Sequence, residues 1–379
     1  MNVEIRNVEF NNKGAELMLH SIIQKMKGFS GDYKLVLKPN LNSCPYEKFS
    51  KLGIYSKQLP IQRMGFHFGD LMSCIPSYLR NLYGVVLDKE IQVVLDASGF
   101  AYGDPFGVEP AKNLLIASRR WKKQKTKLIL LPQAFGPFTS KKICSFMSQV
   151  IENSELIFAR DTVSYENLKS LAPDSTNVKL APDFTNLVQS KEVQNAENFD
   201  GCFCVIPNVQ MIRKLDGKES LKYIPFMAKC LRYLNASKRN PYILIHESKV
   251  DLELAQEIIS IAGCPVNIIE EADPLKIKEI IRLSDGLLAS RFHGLVSALS
   301  QGIPALGTGW SHKYQMLFND YNFPEGLLPL DSVDSHIFKS LDITSKHKNN
   351  ELVDSLCRES KELKLKSESM WKAVFSHFV

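Results

Sequence analysis

Short apolar runs alternate with amphipathic segments along most of this chain. The runs are apolar on both faces, which is typical of parallel strands buried between two layers of helices. We predict strands at residues 3–5, 34–37, 92–95, 127–131, 156–159, 178–180, 201–206, 242–246, 266–269, 286–289 and 305–306. We predict helices at residues 15–27, 141–153, 162–168, 221–235, 251–261, 274–283 and 293–301. This alternation restricts the chain to α/β folds with doubly wound parallel sheets.

The alternation of strands and helices is interrupted twice by polar segments. A polar stretch at residues 189–200 precedes a new series of strands, and a second one at 344–350 precedes an amphipathic helical segment. We therefore predict an N-terminal Rossmann-like domain at 1–190, a C-terminal Rossmann-like domain at 200–330 and a C-terminal helical tail at 345–379. This is a glycosyltransferase-B-like arrangement. We expect its ligand beyond the carboxyl ends of the strands, in the cleft between the domains.

The composition excludes several functional classes. Of the 379 residues, 47 are basic and 41 are acidic, which gives a formal net charge of +6. That small excess fits an anionic substrate or membrane surface. Without a zinc-finger or RNA-binding motif it does not indicate a nucleic-acid partner. The N-terminal segment lacks the apolar core of a signal peptide, and no apolar run approaches the roughly 18 residues of a membrane span. The 8 cysteines include no CxxC pair, so we predict a reduced, cytoplasmic, soluble protein.

The segment 285–314 carries the strongest indication of a binding site. Its pattern is a strand, a turn with Arg291 and His293, a helix that Gly302 ends, and a second strand opened by Pro304. Amide N–H groups and the positive end of the helix dipole converge at such a turn, which favours an anionic ligand. Arg291 adds a fixed positive charge, and His293 suits proton transfer. The structural alternative is a capped helix with a solvated arginine and a core histidine.

Other polar residues near predicted strand ends have two interpretations each. Arg160 could bind an anion or form a local ion pair with Asp161. Asp183 could orient a hydroxyl or cap the next turn, and Lys313 could contact a phosphate or be solvated. His246 could support the same site or lie in a plain loop. No residues have the spacing of metal ligands, so we predict no metal site.

Five sequence blocks, in order along the chain, are similar to those of a known family. They are Asn11-Asn12-Lys13-Gly14-Ala15-Glu16, Leu131-Pro132-Gln133-Ala134-Phe135-Gly136-Pro137-Phe138, Phe158-Ala159-Arg160-Asp161 with Ser164, Ala181-Pro182-Asp183-Phe184, and Ser290-Arg291-Phe292-His293-Gly294 with Gly302-Ile303-Pro304 and Lys313. Through these blocks, and over roughly residues 1–325, the chain resembles the polysaccharide pyruvyl transferases. One block alone is weak evidence, but five in the right order and spacing are strong.

The resemblance implies a reaction and a set of residues. Such enzymes move the pyruvyl group of phosphoenolpyruvate onto two hydroxyls of a sugar, in a surface polysaccharide or its lipid-linked precursor. The products are a ketal and phosphate, and no cofactor is expected. The resemblance implies that His293 is catalytic and that Arg160, Arg291 and Phe292 bind phosphoenolpyruvate. We also expect substrate contacts from nearby motif positions, namely Asn12, Gly14, Asp183, Gly294 and Lys313.

Two blocks depart from the family pattern. Where the family usually has Gly-Asp in the first turn, this chain has Gly14-Ala15-Glu16. Where it usually has a glycine cluster after the third strand, this chain has Asp96-Ala97-Ser98-Gly99-Phe100. Both lie in the N-terminal domain, which in this family faces the acceptor. The departures therefore leave the predicted donor unchanged and the identity of the acceptor open.

Other functions compete with this interpretation. An inverting glycosyltransferase that uses a nucleotide sugar would share the fold, but its site usually needs an acidic residue for the ribose hydroxyls. The chain has no carboxylate between His293 and Gln301. A catalytically silent binding protein is a third hypothesis. Residues 59–87 mix apolar and basic side chains, so they form either a core helix with a loop or an amphipathic patch at the inner face of a membrane.

Overall fold

The computed structural model describes residues 1–58, 62–63, 66–67, 74–246 and 249–378, without the side chains of 62, 63, 66, 67 and 249. The chain divides into two compact units. Unit 1 comprises Met1–Asn11, Met18–Pro182 and Glu368–Val379, and unit 2 comprises Asn12–Leu17 and Asp183–Ser367. The domain bounds predicted from the sequence stay a prediction. In the structure, the main boundary between unit 1 and unit 2 falls between Pro182 and Asp183, and the last helix contributes residues to both units.

Unit 1 is built on a parallel sheet whose first strand lies in its interior. Its strands are β1 (Asn2–Arg6), β2 (Lys34–Leu37), β3 (Tyr55–Lys57), β6 (Val85–Val86), β7 (Val93–Asp96), β8 (Phe100–Tyr102), β9 (Lys127–Phe135), β10 (Leu156–Ala159) and β11 (Val178–Leu180), while β4 (Gln62–Arg63) and β5 (Phe66–His67) form a separate antiparallel pair. The order is β11-β10-β9-β7-β1-β2-β3-β6, and β8 pairs with β9. The chain thus leaves β1 on one side and returns through β7 on the other. The topological switch point of unit 1 lies between β1 and β7.

Helices connect these strands. They are α1 (Lys13–Met26), α2 (Tyr46–Ser50), α3 (Ser77–Leu82), α4 (Val108–Gln124), α5 (Lys141–Asn153) and α6 (Thr162–Leu171), with 3-10 turns at Asp88–Glu90 and Asp104–Phe106. The largest side chain of the core here is Trp121, at the end of α4, which packs with Leu114 and with Ile143 of α5. Apolar residues of β7 and β9 meet the same core, so these helices cover one face of the sheet.

Unit 2 repeats the doubly wound plan with a shorter sheet. Its strands are β12 (Phe203–Ile206), β13 (Pro241–Ile245), β14 (Asn267–Glu270), β15 (Gly286–Ala289) and β16 (Ala305–Gly307), all parallel in the order β14-β13-β12-β15-β16. The chain moves outward from β12 through β13 to β14 and then returns on the other side as β15. The switch point of unit 2 therefore lies between β12 and β15.

Helices cover both faces of the unit 2 sheet. They are α7 (Gln210–Lys214), α8 (Gly217–Ala236), α9 (Lys249–Ala262), α10 (Pro274–Leu283), α11 (Phe292–Leu299), α12 (His312–Asp320), α13 (Asp334–Ile343) and α14 (Asn350–Phe375), with 3-10 turns at Phe184–Leu187, Ala196–Asn198 and Pro324–Gly326. Alternate residues of β12 point to opposite cores. Cys204 packs with α10 and α11, and Val205 packs with α8 and α9. Two buried faces explain why these strands have no polar alternation.

The last helix, α14, contributes to the core of each unit. Within unit 2, Leu356 and Leu363 pack against the core beside α11. Within unit 1, Trp371 is buried and Phe375 packs with Phe29, with ring centroids 5.4 Å apart. The apolar residues of the C-terminal segment therefore serve as core residues along its length.

The sequence predicted most of these elements, and every predicted strand overlaps an observed one. It did not predict the strands β3, β4, β5, β6 and β8, nor the helices α2, α4, α7, α12 and α13. The patch proposed at residues 59–87 lies partly outside the described residues, and its described part includes α3 and β6. Among the helices that the structure describes, none has the length and apolarity required to span a membrane.

Candidate active site

The turn after β15 is held by a buried hydrogen-bond network centred on Ser290. Its hydroxyl lies 2.8 Å from the hydroxyls of both Tyr223 and Thr308. Its carbonyl accepts from Asn208 Nδ2 at 2.8 Å and from Tyr314 Oη at 3.0 Å. These partners come from separate elements, and all are buried. The network therefore fixes the backbone from which the next three side chains project.

Arg291 occupies the N-cap position of α11, in extended conformation, and is buried. Its Nη2 pairs with a carboxylate oxygen of Asp251, which lies in the first turn of α9 and is 1% exposed. Gly294, in the first turn of α11, lets the helix approach β12, because a Cβ there would lie 3.2 Å from Ile206 Cδ1. The arginine is thus buried and held in one orientation, which differs from the solvated arginine of the structural alternative. A buried carboxylate orients it beside a helix N-terminus.

His293 lies beside Asp183, and 13% of the histidine side chain is exposed. Nε2 of His293 is 3.7 Å from Asp183 Oδ2. The other carboxylate oxygen of Asp183 accepts from the backbone N–H of Thr185 at 3.0 Å and from its hydroxyl at 2.5 Å. Asp183 therefore caps the turn, which is one of its two predicted roles, and its other oxygen faces His293. Its predicted role in orienting a hydroxyl stays a prediction.

The N-terminus of α1 packs directly on His293. Asn12 caps this helix, because its Oδ1 accepts from the N–H groups of Gly14 at 2.9 Å and Ala15 at 3.3 Å. A Cβ on Gly14 would lie 3.0 Å from His293 Cγ and closer still to Nδ1. Only glycine fits at this position without displacing the imidazole. Within unit 2, two helix N-termini therefore meet at His293.

His246, at the end of β13, lies in the same environment. Burial lowers the pKa of this histidine well below its usual value, and the charges of Arg291, His293 and Lys13 lower it further. Its Nδ1 has no hydrogen-bond partner among the described residues. His246 is therefore neutral near pH 7, and the positive charge of this site belongs to its neighbours.

Lys313 lies among aromatic rings at the start of α12. Its Nζ is 5.4 Å from the ring centre of Phe292, 5.0 Å from that of Trp310 and 5.3 Å from that of Tyr314. The ring of Phe292 also meets the edge of His293, with centroids 5.5 Å apart. Cation–π contacts of this kind hold an ammonium group in place without neutralising it. Lys313 is thus a positioned cation and not a freely solvated one.

Arg160 belongs to unit 1 and follows β10. It is buried, and its backbone N–H donates to the carbonyl of Gln133 at 3.0 Å. The neighbouring Asp161 caps α6, accepting from the N–H of Ser164 at 2.7 Å and from its hydroxyl at 3.0 Å. Asp161 therefore caps the helix that follows Arg160, and the predicted role of Arg160 in binding an anion stays a prediction.

Sequence reasoning missed two features of this site. Asp251 was predicted only as the start of a helix, although it is the buried partner of Arg291. The sequence showed Ser290 only as the first residue of a motif, whereas in the structure it is the centre of the network that holds the turn. A buried aspartate in a first helical turn carries no sequence signal that distinguishes it from a helix-start residue. In the described part of the chain, no cluster of three or more His, Cys, Asp or Glu residues could hold a metal ion.

The family model described as polysaccharide pyruvyl transferase matches residues 12–312. The chain belongs to the polysaccharide pyruvyl transferase family. The match includes Asn12 and Gly14, Arg160 and Asp183, and the turn that contains His293. As a member of this family the protein is a transferase with a saccharide acceptor. No curated protein is similar enough to this transferase to count as a match.

Solved structures with a similar fold include proteins in complex with UDP or a UDP-sugar. UDP-GlcNAc 2-epimerase from Neisseria meningitidis bound to UDP-GlcNAc is 14% identical, with a TM-score of 0.61, covering 99% of this chain and 100% of that one. S. aureus MnaA with UDP is 12% identical, with a TM-score of 0.59, covering 100% and 96%. Anabaena HepE with UDP-glucose is 9% identical, with a TM-score of 0.57, covering 99% and 100%. These likenesses show the fold alone, which is the predicted pair of Rossmann-like domains of the glycosyltransferase-B kind.

Proposed function

We propose that this protein transfers the pyruvyl group of phosphoenolpyruvate to two hydroxyls of one sugar, forming a cyclic ketal and releasing phosphate. The acceptor would be a surface polysaccharide, such as a capsule or exopolysaccharide, or its lipid-linked precursor in the cytoplasm. The observation that carries the proposal is the turn of unit 2, where Arg291 is fixed by Asp251 and His293 faces Asp183. The turn joins an anion site to an acid–base group.

The donor would be bound mainly by charge. Phosphoenolpyruvate carries a carboxylate and a phosphate on adjacent atoms, so it suits several cations at fixed separation. Arg291 lies at the N-terminus of α11, and Lys313 is held among three rings. The N-terminus of α1 adds backbone N–H groups next to His293. Arg160 and Phe292 are donor contacts by family resemblance, as are the backbone positions Gly294, Gly14 and Asn12.

His293 would manage the protons of the reaction. As an imidazolium it donates a proton to the enol methylene, and the central carbon gains oxocarbenium character and is attacked by the first hydroxyl. The second hydroxyl then displaces phosphate. One hydroxyl proton returns to His293 and the other leaves with phosphate, so protons and charge balance. Asp183, 3.7 Å away, would orient the imidazole and stabilise its positive charge.

One assay tests the proposal directly. The purified protein is incubated with phosphoenolpyruvate and a panel of saccharides, including lipid-linked ones, while phosphate release is followed. The ketal methyl group is then sought by proton NMR of the product. We expect saccharide-dependent phosphate release together with the new methyl signal, also in the presence of a metal chelator. Phosphate release without a ketal product, or no release with any saccharide, would contradict the proposal.

A second candidate is an inverting glycosyltransferase that uses a nucleotide sugar. Solved structures of the same fold contain UDP, UDP-GlcNAc or UDP-glucose. Against it, the chain has no carboxylate between His293 and Gln301 that could bind ribose hydroxyls beside the anion site. Incubation with UDP-sugars separates the candidates, because a glycosyltransferase would release UDP in an acceptor-dependent manner and the pyruvyl transferase would not.

A further inference from the structure

The switch point of unit 1 has the same place in its sheet as the site of unit 2, but its chemistry differs. Asn7 follows β1, and Asp96 ends β7. Ligands of open parallel sheets bind beyond the carboxyl ends of the strands at such a point. The side chains that hydrogen-bond to one another there in unit 1 are amides, hydroxyls and one carboxylate. Arg6, in register with Asp96, adds a guanidinium whose charge acts on the phenol of Tyr102. The location is that of a binding site, and its carboxylate and its neutral hydrogen-bonding groups distinguish it from the site of unit 2.

Asp96 is the centre of this cluster and is 0% exposed. Its Oδ2 accepts from Asn7 Nδ2 at 2.9 Å and from Tyr102 Oη at 2.9 Å. Its Oδ1 accepts from Gln133 Nε2 at 3.3 Å and from the backbone N–H of Ser98 at 3.2 Å. Burial and the charge of Asp96 raise the pKa of Tyr102, so its phenol stays a donor at neutral pH. Asp96 therefore fixes the orientation of every polar side chain around it.

Asn7 and Ser98 form the accessible rim of the cluster. Asn7 is exposed and adopts a left-handed backbone with φ of 60°, while Ser98 is half-buried. The amide nitrogen of Asn7 donates into the cluster, so its carbonyl oxygen is the group that an incoming hydroxyl can donate to. Phe100 lies two residues beyond Ser98 and meets Phe106 edge-on, with centroids 4.8 Å apart. Hydroxyls, an amide and an aromatic pair are the groups that proteins offer to sugars.

Gln133 gives a second and independent indication of a ligand. Its side chain is 0% exposed, and its Nε2 donates to Asp96. Its Oε1 has no hydrogen-bond partner among the described residues. A buried amide oxygen without a donor costs free energy, so such atoms in proteins usually mark a place for water or a ligand. This acceptor lies in the cluster whose rim is open.

We propose that the switch point of unit 1 binds the hydroxyl groups of a neutral saccharide, with Asn7 and Ser98 as direct contacts and Asp96 as the residue that positions them. The inference rests on the proposed function, since it names the residues that would bind the acceptor sugar. It also accounts for one departure of the sequence from the family pattern. Asp96 and Ser98 belong to the segment that replaces the usual glycine cluster.

This site can be tested by binding alone, without pyruvyl transfer. The protein is titrated with methyl glycosides of glucose, galactose, mannose and N-acetylglucosamine, and binding is followed by saturation-transfer NMR. The variants are Asn7→Gly, which keeps the left-handed backbone, and Ser98→Ala. Asn240→Gly is the matched control, because Asn240 is also exposed and left-handed, with φ of 44°. For any glycoside that the wild type binds, we expect each rim variant to lower the affinity by about tenfold, which is the effect of one lost hydrogen bond. Asn240→Gly should bind as the wild type does, and phosphoenolpyruvate affinity should stay unchanged in all three.

The outcomes separate this inference from the proposed function. If both rim variants bind the glycosides like the wild type, or if no glycoside binds the wild type, the saccharide site is wrong. Ketal formation that Asn7→Gly leaves unaffected would keep the proposed function and reject the site. Glycoside binding that is lost in the rim variants, without any phosphate release from phosphoenolpyruvate, would keep the site and reject pyruvyl transfer.

Discussion

The two switch points occupy the same position in two similar sheets, yet they present different groups. In unit 2, Arg291 and His293 follow the strand, and Lys313 lies against the adjacent ring of Phe292. In unit 1, Asn7 and Asp96 occupy the corresponding strand ends. The fold thus supplies the location of a site, and the side chains at the strand ends decide which ligand it binds.

The two sites also differ in how their functional groups are held. In unit 2 the backbone is fixed by neutral hydroxyls around Ser290, and the charged groups extend from it. In unit 1 a buried carboxylate, Asp96, is the fixed centre and neutral groups surround it. An anion would be repelled by Asp96 and attracted by Arg291. The comparison therefore predicts that substitutions in unit 2 affect the donor, whereas substitutions at the unit 1 cluster affect the acceptor.

The largest effect is expected for His293→Ala. Loss of a general acid–base group lowers turnover by roughly 100-fold or more. Affinity for methyl glycosides should change much less than turnover, because the proposed saccharide contacts are Asn7 and Ser98. Steady-state phosphate release and glycoside titration measure the two effects, with His336→Ala, an exposed histidine, as the control. Turnover like that of the wild type would remove His293 from the mechanism.

Gly14→Ala tests the steric contact under His293. The added methyl group would clash with the imidazole, so the ring must move away from Asp183 or the helix must shift. A misplacement of about 1 Å in a catalytic group lowers the rate by on the order of 100-fold. Gly28→Ala is the matched control just after α1, because its Cβ would meet only the Lys25 carbonyl, at 3.4 Å. Equal turnover in the two variants would show that the position of His293 does not limit the reaction.

Arg291→Ala and Arg160→Ala test the predicted donor contacts. Each lost charge-assisted hydrogen bond should cost about 1.5–3 kcal/mol, so phosphoenolpyruvate affinity should fall by roughly 10- to 150-fold in either variant. If both arginines serve one rigid ligand, the effects in the double variant should not add. Calorimetry measures all three affinities. Arg291→Lys separates charge from geometry, since the lysine keeps the charge beside Asp251. Unchanged affinity in Arg160→Ala would restrict the donor site to unit 2.

The sequence predicted elements well where local signals were complete. Helix α10 spans Pro274–Leu283 as predicted, because Asp273 caps it through the N–H of Leu275 and Pro274 occupies its first position. Strand β15 was found for a similar reason. Its four residues are all buried, so the apolar run had no polar interruption that could hide it.

Two of the missed helices, α4 and α12, had sequence signals that were obscured. Helix α4 buries residues at helical spacing, but charged side chains separate them and its mean hydropathy is low. The buried residues are Ala111, Leu114, Leu115, Ser118 and Trp121. Helix α12 begins at His312, next to Lys313, for which the sequence indicated only a phosphate contact or a solvated side chain. Its apolar face consists only of Tyr314, Leu317 and Phe318.

The contacts within the candidate site could not be predicted from the sequence. Arg291 and Asp251 are 40 residues apart, and the contact between Gly14 and His293 spans most of the chain. Periodicity describes only neighbours within one element, so it cannot pair residues that tertiary packing brings together. The motifs indicated which residues lie at strand ends. They did not indicate that a glycine would lie against the imidazole.

The last prediction concerns stability, not turnover or binding, and the charge behind the unit 2 turn. Lys278 is fully buried, and its Nζ donates to the Thr185 carbonyl at 3.1 Å and to the hydroxyl of Ser300, the C-cap of α11, at 3.3 Å. Burial, and then the charge of Lys364, lower the pKa of Lys278 to about 7, while Asp183 acts in the opposite direction. Unit 2 thus has a lysine that titrates near neutral pH inside its core, as well as the cations of its site.

The direction of the pH dependence follows from this shift. Between pH 7 and the ordinary lysine pKa of 10.5, the unfolded chain binds the proton and the folded chain does not, so stability rises with pH. Below pH 7 both states are protonated, and the folded state carries the full cost of the buried charge, about 5 kcal/mol at most.

Lys278→Met removes this cost but leaves the Thr185 carbonyl without its donor, which costs about 1–3 kcal/mol. We expect the variant to be more stable than the wild type at pH 6, by about 2–4 kcal/mol, and the difference to shrink as pH rises to 8.5. Urea unfolding at several pH values measures it, with the exposed Lys372→Met as control. A constant difference across this range would mean that Lys278 does not titrate there, and would contradict the predicted pH dependence.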